Sequence, residues 1–194
     1  MFITLEGGEG AGKSTQARLL AARLALEGRA ALRTREPGGA PGAEALRGML
    51  LGGVIAWSAP AEAHLHFAAR AEHLARTVLP ALAAGMVVVS DRFADSTMAY
   101  QGYGLGADRE LIAGLTRLLP IQPGVTVLLQ VSPEVGAARI AERPGRADRY
   151  EALDAAFHAR VAAGYAELAA AEPERFVTVS GDGGVAEVLR APLL

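Results

Sequence analysis

The first 27 residues restrict this fold more than any other stretch. Residues 2–5 form a short apolar run of the kind that makes a buried strand, and residues 13–27 carry a helical pattern. Between them, Gly7-Gly8-Glu9-Gly10-Ala11-Gly12-Lys13-Ser14 fits the phosphate-loop pattern G-x-x-x-x-G-K-[ST]. A strand that enters a helix through such a turn aims consecutive backbone N–H groups, and the positive end of the helix, at one anion. Of the 19 lysines and arginines, Lys13 is the only lysine. A compact ammonium can enter the narrow space between a β- and a γ-phosphate, where a planar guanidinium does not fit in the same way. The neighbouring hydroxyls are Ser14, suited to Mg²⁺, and Thr15.

Further short apolar runs lie at 30–34, 86–90, 125–131 and 176–179. They are apolar at nearly every position, as expected of strands covered on both faces. Helical patterns occupy 43–51, 61–82, 108–119, 133–142 and 152–171, with Asp108 and Ser132 as N-caps and Pro133 in a first turn. This alternation predicts an α/β fold: a three-layer, doubly wound, five-stranded parallel sheet with helices on both faces. The 194 residues suit a single domain, and 36–42 and 143–149 read as loops. Net charge is −2, which gives no basic field for nucleic acid, and the absence of cysteine excludes disulfides and thiolate zinc sites. The chain starts directly on a strand, with no signal-peptide pattern and no 18-residue apolar run for a membrane, so a cytoplasmic protein is expected.

The strand at 86–90 runs into Asp91-Arg92. A carboxylate at the carboxyl end of a hydrophobic strand is where a phosphate-loop enzyme places its magnesium-side acid, and an adjacent arginine can clamp phosphate. Three function classes compete. A GTP switch needs an N-K-x-D segment, and this chain has no asparagine and no second lysine. A partner-driving ATPase needs a positioned water, for which the sequence has no distinct sign. A small nucleotide kinase needs a second phosphate pocket and a basic lid. Residues 142–151 supply the lid candidate, with Arg143, Arg146 and Arg149 around a Pro-Gly pair. Such arginines can stabilise a transferring phosphoryl group.

Several blocks taken together resemble thymidylate kinases: the opening run 2–16, Thr34-Arg35-Glu36-Pro37-Gly38-Gly39, Phe67-Ala68-Ala69-Arg70, Ser90-Asp91-Arg92-Phe93 running on to Tyr100-Gln101-Gly102, and Asp148-Arg149-Tyr150-Glu151. The blocks occur in the family's order. The resemblance implies a phosphate-loop nucleoside monophosphate kinase that transfers the ATP γ-phosphate to dTMP, giving dTDP for dTTP synthesis. It implies that Gly7, Gly8, Glu9, Gly10, Ala11, Gly12, Lys13, Ser14 and Thr15 hold ATP, and that Ser14 and Asp91 order Mg²⁺. Arg92 would bridge the two phosphates, and Arg47 would hold the dTMP phosphate. Glu36 and Pro37 would belong to the acceptor pocket, Pro37 as wall. Arg70 would reach the thymine carbonyl, Thr97 and Gln101 would contact the base, and Tyr100 would crowd the sugar 2′ position.

The base-stacking aromatic of relatives falls at His66, with Phe67 next to it. At i, i+4 and i, i+3 from Arg70, either can stack. Glu9 stands where some relatives carry an arginine. This resembles the bacterial subtype with lid-borne charge, which gives the transition-state role to Arg143, Arg146 and Arg149 together. A homodimer is expected from the resemblance alone. An acceptor phosphate has a second pKa near ~6, so it is already nucleophilic at neutral pH and no general base is required.

Overall fold

The computed structural model describes residues 1–142 and 149–185. Among these, five strands form one parallel sheet: β1 (Phe2–Glu6), β2 (Ala31–Arg35), β3 (Val87–Asp91), β4 (Val125–Gln130) and β5 (Phe176–Ser180). Their order is β2-β3-β1-β4-β5. The sheet therefore grows one way from β1 through β3 and the other way through β4. Ligands bind at the carboxyl ends of strands where the winding direction reverses. Leu5 pairs with Asp91, which brings the ends of β1 and β3 level.

The two-residue period of the strands sorts the core into two layers. Ile3, Leu5, Val87, Val89, Val127 and Leu129 pack on one face with Ala17, Leu20 and Leu24 of α1 (Lys13–Leu26). The other face carries Phe2 and Val88 on one side of the sheet and Leu128 and Phe176 on the other. The sheet is thus covered on both faces, as expected from sequence, with one correction. β2 is an edge strand with Arg33 and Arg35 exposed, so its run is not buried on both sides.

The predicted helix at 61–82 is a composite. It consists of α3 (Ala59–His73), a π-helical segment Leu74–Val78, and α4 (Leu79–Ala83). Pro80 explains the break, since it has no N–H for the carbonyl four residues back and its ring crowds that turn. One helix was not expected: α5 (Ala94–Thr97) continues as a π-helical segment Met98–Gly104. Its apolar and polar residues are both buried, Ala99 alongside Asp95, Ser96, Thr97 and Gln101, so it has no amphipathic pattern to recognise. The remaining helices are α2 (Pro41–Leu51), α6 (Arg109–Arg117), α7 (Pro133–Glu142) and α8 (Ala155–Ala171). Asp108 caps α6 as expected, its side chain accepting from the Glu110 N–H. Pro133 opens α7. Pro41 begins α2, so the loop expected at 36–42 is shorter.

Leu24 is 1 % exposed, in the α1 layer near the far end of the helix. Leu24→Ala should cost ~2–5 kcal/mol in urea unfolding through the cavity it leaves, while ligand affinities stay as in the parent.

Candidate active site

A cavity of about 380 Å³ opens at the carboxyl ends of the central strands. Its floor is the loop after β1. Gly12, in the left-handed conformation, starts α1, and Glu9, Gly10, Gly12, Lys13, Ser14 and Thr15 all line the cavity. The loop curls against its surroundings at two points. A Cβ on Gly7 would lie 2.3 Å from the Leu129 carbonyl oxygen, and one on Gly10 would lie 2.3 Å from that of Gly136. Lys13 folds back over this loop, donating to the carbonyls of Gly8 at 2.6 Å and Gly7 at 3.0 Å. Burial, and after it the Arg92 charge, bring its pKa down to about 8 against the pull of Glu9, Asp91 and Glu6.

β3 delivers Asp91 and Arg92 beside the loop. The Ser14 hydroxyl donates to Asp91 Oδ2, so the two oxygens read as the magnesium pair are adjacent. Arg92 has φ +75°, a costly region for a residue with a side chain. Three contacts hold it there. The Arg92 N–H donates to the Leu5 carbonyl, the Ser90 hydroxyl donates to the Arg92 carbonyl, and the Phe93 N–H donates to Glu6 Oε1 at 2.7 Å. Glu6 is fully buried, and burial followed by the nearby Asp95 charge raises its pKa. The strained turn throws the Arg92 guanidinium over the Tyr100 ring, 4.7 Å from its centroid. There Nη2 donates to Glu9 Oε1 at 2.6 Å and to the Tyr100 hydroxyl at 3.1 Å, and Nη1 donates to Ser96. Burial alone would raise the Glu9 carboxyl, but Arg92 and Lys13 overcome it and hold the group at about 2.

The far end of the cavity is built on α3, α5 and the turn after β2. Arg70 is 2 % exposed. Its Nε donates to Glu36 Oε2 at 2.7 Å, and Nη2 donates to the Phe93 carbonyl and the Thr97 hydroxyl. Its buried Nη1 has no partner among the described residues. His73 Nδ1 holds the other Glu36 oxygen at 2.9 Å, so Glu36 stands behind Arg70 with both oxygens engaged. Glu36–Pro37 is a cis peptide, and the Pro37 carbonyl accepts from Arg47 Nη1 at 2.7 Å. Pro37, Arg47, Thr97, Tyr100 and Gln101 line the cavity. So does His66, whose pKa is pushed down to about 3 by burial and the charges of Arg70, Arg92, Arg149 and Arg47. Phe67, one residue on and turned around the helix, packs instead among Ala63, Ala107 and Ile112, with the Arg70 guanidinium over its ring.

Arg143 and Arg146 lie outside the described residues. Arg149 is described, and its Nη1 lies 2.7 Å from the buried Glu62 Oε2. The two are paired as charges. Arg149 is not among the residues lining the cavity, unlike the phosphate-loop groups. Sequence reasoning overlooked Arg139, which lines the cavity and ties the Gly181 and Gly183 carbonyls toward the phosphate loop. It also overlooked the carboxylates behind the cations. A signal for one set existed: Glu62, His66, Arg70 and His73 share one face of α3 and are all buried, a polar stripe where an apolar one is usual.

A phosphate loop after the central strand of a parallel sheet is a nucleotide-binding build. A second basic pocket opening into the same cavity is the form taken by kinases that act on nucleotides. Comparison with known proteins narrows the class to one family. The thymidylate kinase family model matches residues 5–191. The chain is 50 % identical to the thymidylate kinase of Gluconobacter oxydans, covering 100 % of this chain and 92 % of that one. It is 53 % identical to that of Synechococcus sp. strain JA-2-3B'a(2-13), covering 97 % and 90 %. The crystal structure of the thymidylate kinase from Ehrlichia chaffeensis superposes with a TM-score of 0.77 at 33 % identity, over 93 % of this chain and 86 % of that one. The chain belongs to the thymidylate kinase family.

Gly10→Ala tests the loop. Left-handed strain of ~1–2 kcal/mol adds to a contact with Gly136 that cannot be accommodated without displacing the loop. A nucleoside triphosphate with magnesium should raise the thermal midpoint of the parent chain and leave that of Gly10→Ala unmoved. An undiminished shift would mean that the loop does not grip phosphate in this conformation.

Proposed function

We propose that this chain transfers the γ-phosphate of ATP to the phosphate of dTMP, giving dTDP for dTTP synthesis. The observation that carries this reading is one cavity with two polar ends. Lys13 and the phosphate loop line one end, and Arg70, Thr97 and Gln101 line the other, where Arg70 Nη1 is buried with no hydrogen-bond partner among the described residues. Arg92 touches both ends through Gly7, Glu9, Ser96 and Tyr100.

In this reading residues 7–15 hold the donor phosphates and Arg47 holds the acceptor phosphate. Arg92 bridges the two once phosphate oxygens compete for its N–H groups. Arg70 donates Nη1 to the base carbonyl, and Glu36 acts through Arg70. Thr97, Gln101 and His66 surround the base, and Tyr100 limits space at the sugar. Arg143 and Arg146 keep the transition-state role implied by the family resemblance, while Arg149 is occupied at Glu62. The acceptor needs no base, so these groups catalyse by aligning two polyanions and cancelling their repulsion. Ser14 and Asp91 offer two hard oxygens, a sparse set that suits Mg²⁺ with phosphate and water completing its shell. Among the described residues no cluster of three or more His, Asp or Glu could hold a metal by itself. The bound ion would neutralise phosphate charge.

The same reading keeps the chain as one domain with a lid at 142–151. It also places the chain in the cytoplasm, where ATP and deoxynucleotides are pooled. Among the described residues no helix is long and apolar enough to cross a membrane. We further propose a homodimer over the apolar groove of Ala71, Ala75, Leu79, Leu115 and Leu118, where Leu118 is 80 % exposed.

A coupled ADP-release assay across monophosphates tests the reaction. dTMP should be the best acceptor, with dUMP slower by at most about 10- to 200-fold, the range for one methyl in an apolar pocket. Preference for AMP or CMP would overturn the reading. Arg92→Ala should lose about 10²–10³ in kcat and keep a cooperative thermal transition at a lower midpoint, since Glu9 is left without its cation, and parental kinetics in that variant would remove Arg92 from the mechanism.

Lys13 supplies a pH test. In the free protein its pKa is lowered to about 8, so it is charged below that pH and neutral above it. kcat/KM for ATP should be level up to about pH 8 and then fall by about one log per pH unit. Lys13→Arg should lower the plateau and abolish this limb.

A further inference from the structure

The residues expected to face the base do not by themselves say which pyrimidine edge they read. A glutamine amide presents a donor or an acceptor depending on which way it is turned. In this structure the orientation of Gln101 is fixed from behind. Its Nε2 donates to Glu62 Oε1 at 2.9 Å and to the Tyr150 hydroxyl oxygen at 3.0 Å. Both amide hydrogens are thereby used, and Oε1 has no hydrogen-bond partner among the described residues although Gln101 lines the cavity. The Tyr150 hydroxyl gives its own hydrogen to the same Glu62 oxygen at 2.6 Å, so towards Gln101 it can only accept. His66 Nε2, 3.2 Å from the Tyr150 oxygen, falls under the same constraint and must carry the hydrogen there. Glu62 is 0 % exposed, and its second oxygen faces Arg149 at 2.7 Å.

We propose that Glu62 is a specificity-determining positioning residue: its buried carboxylate locks the Gln101 amide with Oε1 towards the acceptor pocket. A carboxylate can only accept. Turning the amide over would set Gln101 Oε1 against Glu62 Oε1 with no hydrogen between two buried oxygens, an arrangement that costs the desolvation of both. The pocket therefore presents a fixed pair, the Gln101 acceptor and the Arg70 Nη1 donor. That pair matches the ring N–H and adjacent C4 carbonyl of a 4-keto pyrimidine. It opposes a 4-amino pyrimidine at both atoms, since the ring nitrogen there is an acceptor and the amino group a donor. Glu62 touches no substrate and acts only through Gln101 and Tyr150. The inference rests on the proposed dTMP reaction and adds the source of its base selectivity.

The test compares dTMP with 5-methyl-dCMP, which differs only at the 4-position, and with dUMP, which lacks only the methyl. The parent should favour dTMP over 5-methyl-dCMP by about 10⁴ or more, as sites built on hydrogen-bond matching do. In Glu62→Gln the new amide can donate or accept, so Gln101 is free to turn. The dTMP to 5-methyl-dCMP ratio of kcat/KM should fall by roughly 10- to 100-fold, the size of one mispaired buried hydrogen bond. It does not vanish, because Arg70 still opposes the amino group. The dTMP to dUMP ratio should stay within about twofold, since nothing at the methyl has changed.

A merely structural role would lower all three substrates together and leave both ratios intact, and that result overturns the proposal. Tyr150→Phe removes the second acceptor behind Gln101, together with a hydrogen to Glu62 and the partner of His66 Nε2, but leaves the Glu62 acceptor in place, and should lower the 4-keto preference by a smaller factor. It carries the test if Glu62→Gln does not show a cooperative thermal transition, and an unchanged ratio in it then counts against the proposal. A parent chain that does not phosphorylate dTMP would sink the reaction itself. A selective parent with a selective Glu62→Gln variant would sink this inference alone.

Discussion

The governing problem in this molecule is how to keep guanidiniums charged, out of water and correctly aimed before any polyanion arrives. Removing an ion from water costs several kcal/mol even after relaxation, and removing only one partner of a buried pair leaves the other uncompensated. Among the described residues, four buried or half-buried arginines each rest on a carboxylate. Arg70 rests on Glu36, Arg92 on Glu9, Arg149 on Glu62, and Arg175 on Asp95 through two bonds at 2.7 and 3.0 Å. Lys13, which has no such carboxylate, sits on loop carbonyls, and it is the cation whose charge burial weakens most visibly. The arrangement keeps the cavity lined with donors without leaving a bare field of positive charge. In the proposed reaction, phosphate oxygens replace some of these partners rather than binding to unsolvated cations.

How much of this was legible in the sequence follows from how local each signal is. The phosphate loop, the five strands and most helices were legible because their information lies within a dozen residues: an apolar run, a glycine-rich turn, a cap such as Asp108. The expectation that β2 is doubly covered fails because an edge position depends on the neighbours a strand lacks, which the run 30–34 does not encode. The helix from Ala94 was missed because Asp95, Ser96, Thr97 and Gln101 turn inward, reversing the usual polar-out pattern. Its π-helical part is shaped by contact with α8, where a Cβ on Gly104 would meet Phe157 at 2.5 Å. Among the candidate site residues, Lys13, Asp91, Arg92, Arg47, Arg70, Thr97, Tyr100 and Gln101 line one cavity, while Phe67 and Arg149 do not. What stayed hidden was the layer behind them. Glu62 with Arg149, Glu6 with Phe93, and Arg175 with Asp95 join distant parts of the chain, and neither partner announces the other.

The two halves of the cavity use different backbone devices, suited to different tasks. The phosphate end relies on irregular backbone: a glycine turn with φ +72° at Gly10 and a strained Arg92 at φ +75°. Such conformations bring N–H groups and a guanidinium to places that no regular element reaches. The strain is tolerable because ladder and side-chain contacts over-determine it, through the Leu5 carbonyl, Ser90 and Glu6. Recognition of phosphate adds to the hydrogen bonds of the loop a charge attraction that falls slowly with distance.

Reading the edge of a base is a different demand, because hydrogen bonds weaken steeply with angle and a shift of a few tenths of an ångström matters. That end is built on regular structure. Glu62, His66, Arg70 and His73 stand at i, i+4, i+8 and i+11 along α3, so one helix fixes their spacing. Each is then tied to another part of the chain: Glu62 to Gln101 and Tyr150, His66 to Tyr150, Arg70 to Glu36 and Phe93, and His73 to Glu36 and Thr34. Sites held on helices are more exact than sites held on loops, and a carboxylate that can only accept fixes its neighbours' hydrogens more firmly than a hydroxyl that can turn either way. Had α3 carried the usual apolar stripe at these positions, the helix would pack equally well but could dictate nothing to the pocket. The buried polar stripe gives up packing energy, and under the proposed dTMP reading what it provides in return is one permitted orientation for the Gln101 amide that faces the base.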